Sequence, residues 1–154
     1  MIKKKQPLLN RDEIEAIIKK CEVCYVSMVS PEGEPYVIPM NFGYADNTIY
    51  MHSALSGKKI DILRNNPNVC IVFSTDHELR AQNETVACSY SMKFRSALVF
   101  GKVELIELRD DKINALNVIM GQYTSVENFK YSEPAIKNVL AMKVKILKME
   151  GREK

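Results

Sequence analysis

A histidine, a serine and two lysines stand where a strand-like pattern of this sequence gives way to a helix-like one. The strand-like run ends in His52 and Ser53, and Gly57, Lys58 and Lys59 open the helix-like run. A helix N-terminus offers unpaired backbone N–H groups and a positive dipole end, to which two ammonium groups add full charges. Gly57 lets the backbone approach an anion closely, and Ser53 can donate its hydroxyl. The pattern predicts a phosphate site. The alternative that these residues leave open is a surface helix with solvated lysines.

The cysteines suggest redox or zinc chemistry at first, but their placement does not support it. Cys21 and Cys24 have the spacing of a redox pair or half a zinc site, whereas Cys70 and Cys88 stand alone. A zinc ribbon needs two such pairs, and a thioredoxin-type pair precedes its helix rather than following one. We interpret Cys21 and Cys24 as reduced core residues.

Other signatures of catalysis or metal binding are weak. Asp76, His77 and Glu78 are consecutive, and consecutive side chains seldom converge on one ion, so we expect a polar surface loop and no metal site. The sequence contains no G-x-G-x-x-G, G-x-x-x-x-G-K-[ST], H-E-x-x-H or G-x-S-x-G motif. Rossmann dinucleotide binding, nucleoside triphosphatase, zincin and α/β-hydrolase activities therefore lose their main support.

The elements of the first half are predicted as one helix and three strands, followed by a short helix. Asn10 can cap a helix with apolar residues at helical spacing. Strand patterns at 23–30, 35–44 and 48–53, joined by tight turns, predict a three-stranded meander. The short helix that opens at Gly57 ends before Pro67, which cannot continue it.

The second half repeats this mixture of strands and helices. The predicted elements are a strand at 68–75, two strands within 86–106, a helix at 110–123, a helical turn starting near Ser132 and a strand at 142–146. About seven short antiparallel strands with inserted helices favour a mainly β (α+β) barrel or sandwich with peripheral helices. We predict a single domain over residues 1–154, with 1–9 as a loose N-terminal arm.

Composition narrows the class of protein. The 154 residues are 46% apolar and 27% charged, with a net charge of +3. These values exclude disorder as the main state, and the interspersed charges argue against a nucleic-acid partner. No run approaches the length of a membrane helix, and no signal sequence follows the N-terminal lysines. We therefore expect a cytoplasmic protein with no membrane partner.

Four segments in order carry a family resemblance. They are V-I-P-M-N-F-G-Y from Val37, I-Y-M-H-S-A-x-x-G-K-K from Ile49, N-P-x-V-C from Asn66, and F-R-S-A-L-V-F-G from Phe94. This order resembles the nitroimidazole-resistance branch of the pyridoxamine 5'-phosphate oxidase-like flavoproteins. The resemblance implies a split β-barrel that forms a homodimer and binds flavin mononucleotide (FMN) at two interface sites. It also implies redox chemistry on a small-molecule substrate, with reduction of nitroimidazoles as the proposed activity. Flavin adenine dinucleotide (FAD) is a possible replacement for FMN.

The resemblance also places contacts to the cofactor. The strand Ile38–Phe42 would lie along the isoalloxazine, His52 and Ser53 would close the next strand, and the two lysines would hold the phosphate. A later strand would contribute to the phosphate or to the subunit contact. The implied cofactor-binding residues are Pro39, Met40, Asn41, Phe42, His52, Ser53, Lys58, Lys59, Arg95 and Ser96. Alternation along the first strand puts Val37, Pro39 and Asn41 on one face and Ile38, Met40 and Phe42 on the other.

The residues leave several functional alternatives open. The chemistry would reside in the flavin, so no catalytic acid or base is assigned. A flavin contact is favoured over a structural role for His52, and His77 receives no role, but which histidine matters on the substrate side is open. Oxidation of pyridoxamine phosphate is disfavoured, because only Arg152 stands near the end of the chain where an arginine motif is needed. The other candidates are a non-catalytic flavin- or haem-binding or sensing protein and a small interaction barrel without cofactor.

Overall fold

The computed structural model describes residues 8–154, which form one seven-stranded antiparallel sheet and four α-helices. The strands are β1 (Cys24–Val29), β2 (Pro35–Met40), β3 (Gly43–Ala45), β4 (Thr48–Ser53), β5 (Asn68–Ala81), β6 (Tyr90–Ile106) and β7 (Leu140–Glu153). The helices are α1 (Arg11–Lys20), α2 (Lys58–Asn65), α3 (Arg109–Tyr123) and α4 (Glu133–Lys137), with a 3₁₀ turn at Ala87–Ser89.

The sheet curls until its two edges nearly meet. Its strand order is β2-β1-β5-β6-β7-β4-β3, so β2 and β3 are the edge strands. Only Asn41 and Phe42 separate these two edges along the chain, and three peptide steps span at most about 11 Å. A flat sheet of this order would place them much farther apart. The sheet is therefore a barrel that stays open between β2 and β3, which is the split barrel that the resemblance implied.

The predicted three-stranded meander is wrong. The run at 35–44 is two strands rather than one, and β4 pairs with β3 and β7 instead of β2. The break between β2 and β3 falls at Phe42, whose side chain is fully buried in the core. The ring centres of Phe42 and Phe73 are 4.9 Å apart in an edge-to-face pair. Burial of a large aromatic ring outweighs the continuation of one strand.

The strands β5, β6 and β7 are much longer than predicted. They have 14, 17 and 14 residues, and the two strands expected within 86–106 are one strand preceded by a 3₁₀ turn. The β5–β6 register shifts between Thr75 and Glu78, and the β6–β7 register shifts between Phe100 and Gly101. Such irregularities increase strand bending, which long strands need in order to curl around a barrel.

Helix α1 closes one part of the barrel and confirms the predicted N-cap. The Asn10 side chain accepts the Glu13 N–H at 3.0 Å, and the Glu13 carboxylate accepts the Asn10 N–H at 2.7 Å, which forms a capping box. The loose arm is wrong for its last two residues. Leu8 bridges to Arg152, and the N–H of Leu9 donates to the Gly151 carbonyl. The other residues of the predicted arm, 1–7, lie outside the described part of the chain.

The remaining helices cover other sides of the barrel. Helix α3 packs against β3, β4 and β7, and α4 is capped by Ser132, whose hydroxyl accepts the Ala135 N–H. This confirms the predicted helical turn. Among residues 8–154, no helix is long and apolar enough to cross a membrane.

Candidate functional site

Helix α2 begins with a geometry suited to an anion. Gly57, the N-cap, has φ of +131°, a conformation that residues with a Cβ rarely adopt. A Cβ built at this position meets no atom within 4 Å, so the space beside the cap is open. Within the described residues, the N–H groups of Lys58 and Lys59 have no acceptor. The N-terminus of α2 thus combines free donors, open space and two ammonium groups, which fits a phosphate.

The two lysines point in different directions. The Nζ atom of Lys58 lies 4.8 Å from the ring centre of Tyr36 on β2. Lys59 is half-buried, and its charge acts on His52. The lysine side chains therefore flank the start of α2, one toward β2 and one toward the end of β4.

A cavity of about 430 Å³ lies between α3 and the junction of β2 with β3. Apolar side chains of α3 form most of its wall, and Asn41, His52 and two tyrosines supply its polar atoms. The lining residues are Asn41, His52, Leu116, Ile119, Met120, Tyr123 and Tyr131. Two of the residues that the resemblance assigned to the flavin, Asn41 in the β2–β3 junction and His52 on β4, thus meet at one cavity.

The hydroxyl of Tyr123 ties the β2–β3 junction to two other elements. It donates to the Glu22 carbonyl at 2.7 Å and accepts from the Phe42 N–H at 3.0 Å and from Asn41 Nδ2 at 3.1 Å. The neighbouring Gln122 donates to the carbonyls at the end of α1. The end of α3 therefore fixes the backbone that passes from one edge of the barrel to the other.

The electrostatic environment favours a neutral His52. Desolvation at the cavity wall, and then repulsion from Lys59, lower the pKa of His52 below its ordinary value, although the side chain as a whole is exposed. A neutral imidazole can donate one N–H and accept at its other nitrogen without adding charge to the cavity. Ser53, on the next position of β4, is half-buried, and its hydroxyl donates to the Ala54 carbonyl at 2.7 Å.

The predicted alternation along β2 is present in the structure. Val37, Pro39 and Asn41 are exposed, whereas Met40 is half-buried and packs against the core. The side chain of Phe42 is fully buried. A ligand that lies along this strand can contact the side chains of Pro39 and Asn41, but Phe42 offers it only backbone atoms.

Arg95 and Ser96 point to opposite faces of β6. Arg95 faces a separate cavity of about 730 Å³ lined with charged side chains, and its Nε lies 3.3 Å from Glu153 Oε2. Lys58 and Lys59 do not line this cavity. Ser96 lies on the outer face of the barrel with Leu98 and Phe100. Neither residue lines the 430 Å³ cavity that Asn41 and His52 share.

The cysteines and His77 take structural positions. Cys21 and Cys24 are buried, and their thiols donate to the carbonyls of Ser74 and Met40. Burial raises the pKa of the Cys24 thiol to about 12, which removes the thiolate that redox chemistry requires. His77 lies outside the 430 Å³ cavity, with Nε2 2.7 Å from the Ser74 hydroxyl oxygen.

Sequence reasoning missed the part of the site that α3 and the following loop contribute. Tyr123 and Tyr131 lie about 80 and 90 residues after Asn41, and each resembles an ordinary amphipathic or loop residue in the sequence. Only the packing of α3 on β3 and β4 brings them to the cavity. No local motif marks them.

The sheet order and the opening between β2 and β3 give this chain the fold of the flavin-binding split barrels. The chain belongs to the pyridoxamine 5'-phosphate oxidase family, whose model matches residues 10–153. No curated protein matches the sequence.

Solved structures agree with this assignment. A crystal structure of a proposed 5-nitroimidazole antibiotic resistance protein from Bacteroides thetaiotaomicron VPI-5482 is 44% identical, with a TM-score of 0.86 over 97% of this chain and 87% of that one. The FAD- and haem-binding protein from Mycobacterium smegmatis has 18% identity and a TM-score of 0.83, over 98% of this chain and 74% of its own. The flavocytochrome Anf3 from Azotobacter vinelandii has 19% identity and a TM-score of 0.80, over 94% and 67%. The last two similarities establish the fold alone.

Proposed function

We propose that this protein is an FMN-dependent oxidoreductase that reduces small nitroaromatic compounds, 5-nitroimidazoles among them. The observation that carries the proposal is that His52, which lines the mostly apolar cavity at the junction of β2 and β3, lies within reach of the charge of Lys59 at the start of α2. The 44% identity to the Bacteroides protein supports the choice of substrate class. When bound, FMN would supply the electrons that the substrate takes up.

The residues at the start of α2 fit the phosphate of this cofactor. The free N–H groups of Lys58 and Lys59 would donate to phosphate oxygens, and Gly57 leaves room for them to approach. Either ammonium group can add a charge-assisted hydrogen bond. We assign the same phosphate site at the start of α2 to FAD, whose adenosine would extend beyond it.

The exposed edge strand β2 fits the ring of the cofactor. One edge of β2 pairs with β1, and its other edge has no partner strand among residues 8–154. The unpaired backbone N–H and C=O groups of that edge therefore face the opening of the barrel. Pro39 and Asn41 would contact the ring through side chains, and Met40 and Phe42 through the backbone. His52 would lie at the far side of the cavity as a neutral donor or acceptor.

A homodimer is part of the proposal. The outer face of β1 and β2 exposes a row of apolar side chains, with Tyr25 47%, Val29 43% and Val37 56% exposed. Ser96, Leu98 and Phe100 continue this face on β6. Contact between two such faces would bury the row, and it would allow Ser96 of each protomer to lie at the interface.

Spectroscopy and turnover test the proposal in sequence. The purified protein should be yellow, and after mild denaturation it should release a ligand with the mass of FMN. With a nicotinamide donor, the FMN-loaded protein should reduce 2-methyl-5-nitroimidazole faster than an equal concentration of free FMN. A colourless protein that does not quench the fluorescence of added FMN would refute the flavin assignment. A yellow protein without turnover, or a red protein that takes up haem, would instead indicate cofactor binding without reductase activity.

A further inference from the structure

The amide of Asn41 is held in a single orientation. Its Nδ2 atom lies 3.4 Å from the Glu22 carbonyl oxygen and 3.1 Å from the Tyr123 hydroxyl oxygen. A carbonyl oxygen can only accept, so the amide nitrogen and not the amide oxygen must face Glu22. The Tyr123 hydroxyl uses its own proton on the same carbonyl, at 2.7 Å, so it accepts from Asn41. Both N–H bonds of the amide are therefore used.

This arrangement leaves the Asn41 Oδ1 atom as an available acceptor. Among residues 8–154, no hydrogen bond is donated to it. Asn41 is exposed and lines the 430 Å³ cavity, so a ligand there can reach this oxygen. Without the Tyr123 hydroxyl, the amide would lose one of its two acceptors and could rotate.

The remainder of the cavity is suited to an uncharged ligand. Leu116, Ile119 and Met120 are apolar, and the hydroxyl of Tyr131 already donates to Asn117 Oδ1 at 2.8 Å. Among the described residues 8–154, no Asp, Glu, Lys or Arg lines the cavity. An ion placed there would lose hydration without a countercharge among the lining residues.

We propose that Tyr123 is a positioning residue that makes this cavity selective for an uncharged ring with an N–H or O–H donor. The hydroxyl fixes Asn41 so that Oδ1 accepts a hydrogen bond from the ring, while the apolar wall of α3 covers the ring face. The inference rests on the proposed function. The donor can belong to the pyrimidine edge of the flavin, at N3, or to a small heteroaromatic substrate.

Matched N–H and N-methyl ligands test the selectivity and distinguish these two sources. The first pair is FMN and 3-methyl-FMN, compared by fluorescence quenching on the full chain. The second pair is 2-methyl-5-nitroimidazole and 1,2-dimethyl-5-nitroimidazole, compared by NMR shift perturbation with or without flavin present. We expect the wild type to prefer the N–H member of one pair roughly three- to tenfold, the range of one hydrogen bond. The pair that shows the preference identifies the source of the donor.

Variants then test the role of Tyr123. Tyr123→Phe keeps the ring but removes the hydroxyl, and it should reduce the preference to about twofold or less. Asn41→Leu removes the acceptor itself and should abolish the preference even if Tyr123→Phe does not fold. Tyr90→Phe removes a hydroxyl that donates to the Glu84 carbonyl at 2.9 Å in the surface hairpin, and it should leave the preference unchanged.

The results distinguish a failure of the inference on Tyr123 from a failure of the proposed function. Equal binding within both pairs by the wild type, or an undiminished preference in Asn41→Leu, would overturn the inference while FMN uptake leaves the proposed function intact. Absence of FMN uptake would count against the proposed function, and the nitroimidazole pair would still test the acceptor at Asn41.

Discussion

Lys58 places its ammonium nitrogen 4.8 Å from the ring centre of Tyr36, while the adjacent Lys59 acts on His52 instead. Two lysines that look equivalent in the sequence therefore start from different environments. An exposed cation–π contact contributes about 0.5–1 kcal/mol, which Lys58 must give up to reach an anion beside α2. Lys59 has no such competing contact among the described residues.

We therefore expect Lys59→Ala to weaken FMN binding more than Lys58→Ala. Loss of a hydrogen bond to a charged group corresponds to roughly a ten- to hundredfold rise in Kd for Lys59→Ala, and we expect a smaller rise for Lys58→Ala. Fluorescence titration measures both values. Riboflavin, which lacks the phosphate, is the control ligand, and its affinity should change little in either variant. An equal loss for riboflavin would place the lysines away from the phosphate.

The imidazole of His52 should titrate below pH 6.5, its ordinary value, because desolvation and Lys59 both disfavour its charged form. Above pH 6.5 the imidazole is neutral in both the folded and the unfolded chain, so its contribution to stability is complete. As the pH falls through 6.5, the unfolded chain binds the proton first, and the stability of the folded protein declines. NMR of the histidine C–H signals measures the titration. Lys59→Gln should raise the pKa of His52 partway, whereas Lys58→Gln should leave it in place. A midpoint at or above the ordinary value would contradict the described surroundings of His52.

The Cys24 thiol should stay protonated well beyond the pH at which free cysteine ionises, since burial raises its pKa to about 12 from 9.0. As the pH rises above 9.0, the unfolded chain loses this proton before the folded protein does, so stability falls. The slope contributed by one such group is at most about 1.4 kcal/mol per pH unit. Urea unfolding between pH 8 and pH 10 should show a smaller decline in Cys24→Ala than in the wild type. Identical declines would mean that the thiol ionises in the folded state.

Gly43 and Gly121 should respond in opposite ways to alanine. A Cβ on Gly43 would lie 2.5 Å from the carbonyl carbon of Val118 in α3, whereas a Cβ on Gly121 meets no atom within 4 Å. We expect Gly43→Ala to destabilise the protein by about 1–3 kcal/mol, as overpacking does. Gly121→Ala, within α3, should stabilise it by about 0.5–1 kcal/mol through helix propensity. Thermal unfolding of the two variants measures both effects, and a neutral Gly43→Ala would show that α3 can move away from β3.

A charge on the outer face of β2 should separate the proposed dimer. Val37→Glu places a carboxylate in the apolar row, and its burial in an interface would be costly. Val126→Glu is the matched control, because Val126 is similarly exposed, at 59% against 56%, but lies in the loop after α3. Sedimentation over a range of concentrations should show monomers only for Val37→Glu. If both variants stay dimeric, the interface lies elsewhere on the barrel.

Local signals in the sequence were enough to predict the helices and the positions of most strands. The N-cap at Asn10 and the alternation along β2 depend on neighbouring residues alone, and both are present in the structure. The break at Asn41 and Phe42 is different, because it depends on Phe73 and α3, which lie far along the chain. A continuous strand pattern cannot reveal that its two halves occupy opposite edges of a sheet.

The same distinction applies to the site. The glycine and lysines that open α2 form a compact motif, so their sequence could indicate an anion site. The wall of the cavity comes from α3 and from Tyr131, and their apolar or aromatic types serve equally well as ordinary packing. Arg95 and Ser96 are adjacent in the sequence, but alternation along β6 sends them to different faces, which a motif match does not take into account.

Asn41 and Phe42, the two-residue passage between the edge strands β2 and β3, also limit where residues can be inserted into or deleted from this chain. One added residue between Met40 and Gly43 would reverse the alternation of side chains between the core and the outer face. Either Phe42 would then leave the core, or Gly43 would no longer pack against α3. The surface hairpin around Asn83 has no such constraint, because its side chains are exposed. Insertions and deletions in natural variants should therefore accumulate at the hairpin and be absent from the passage.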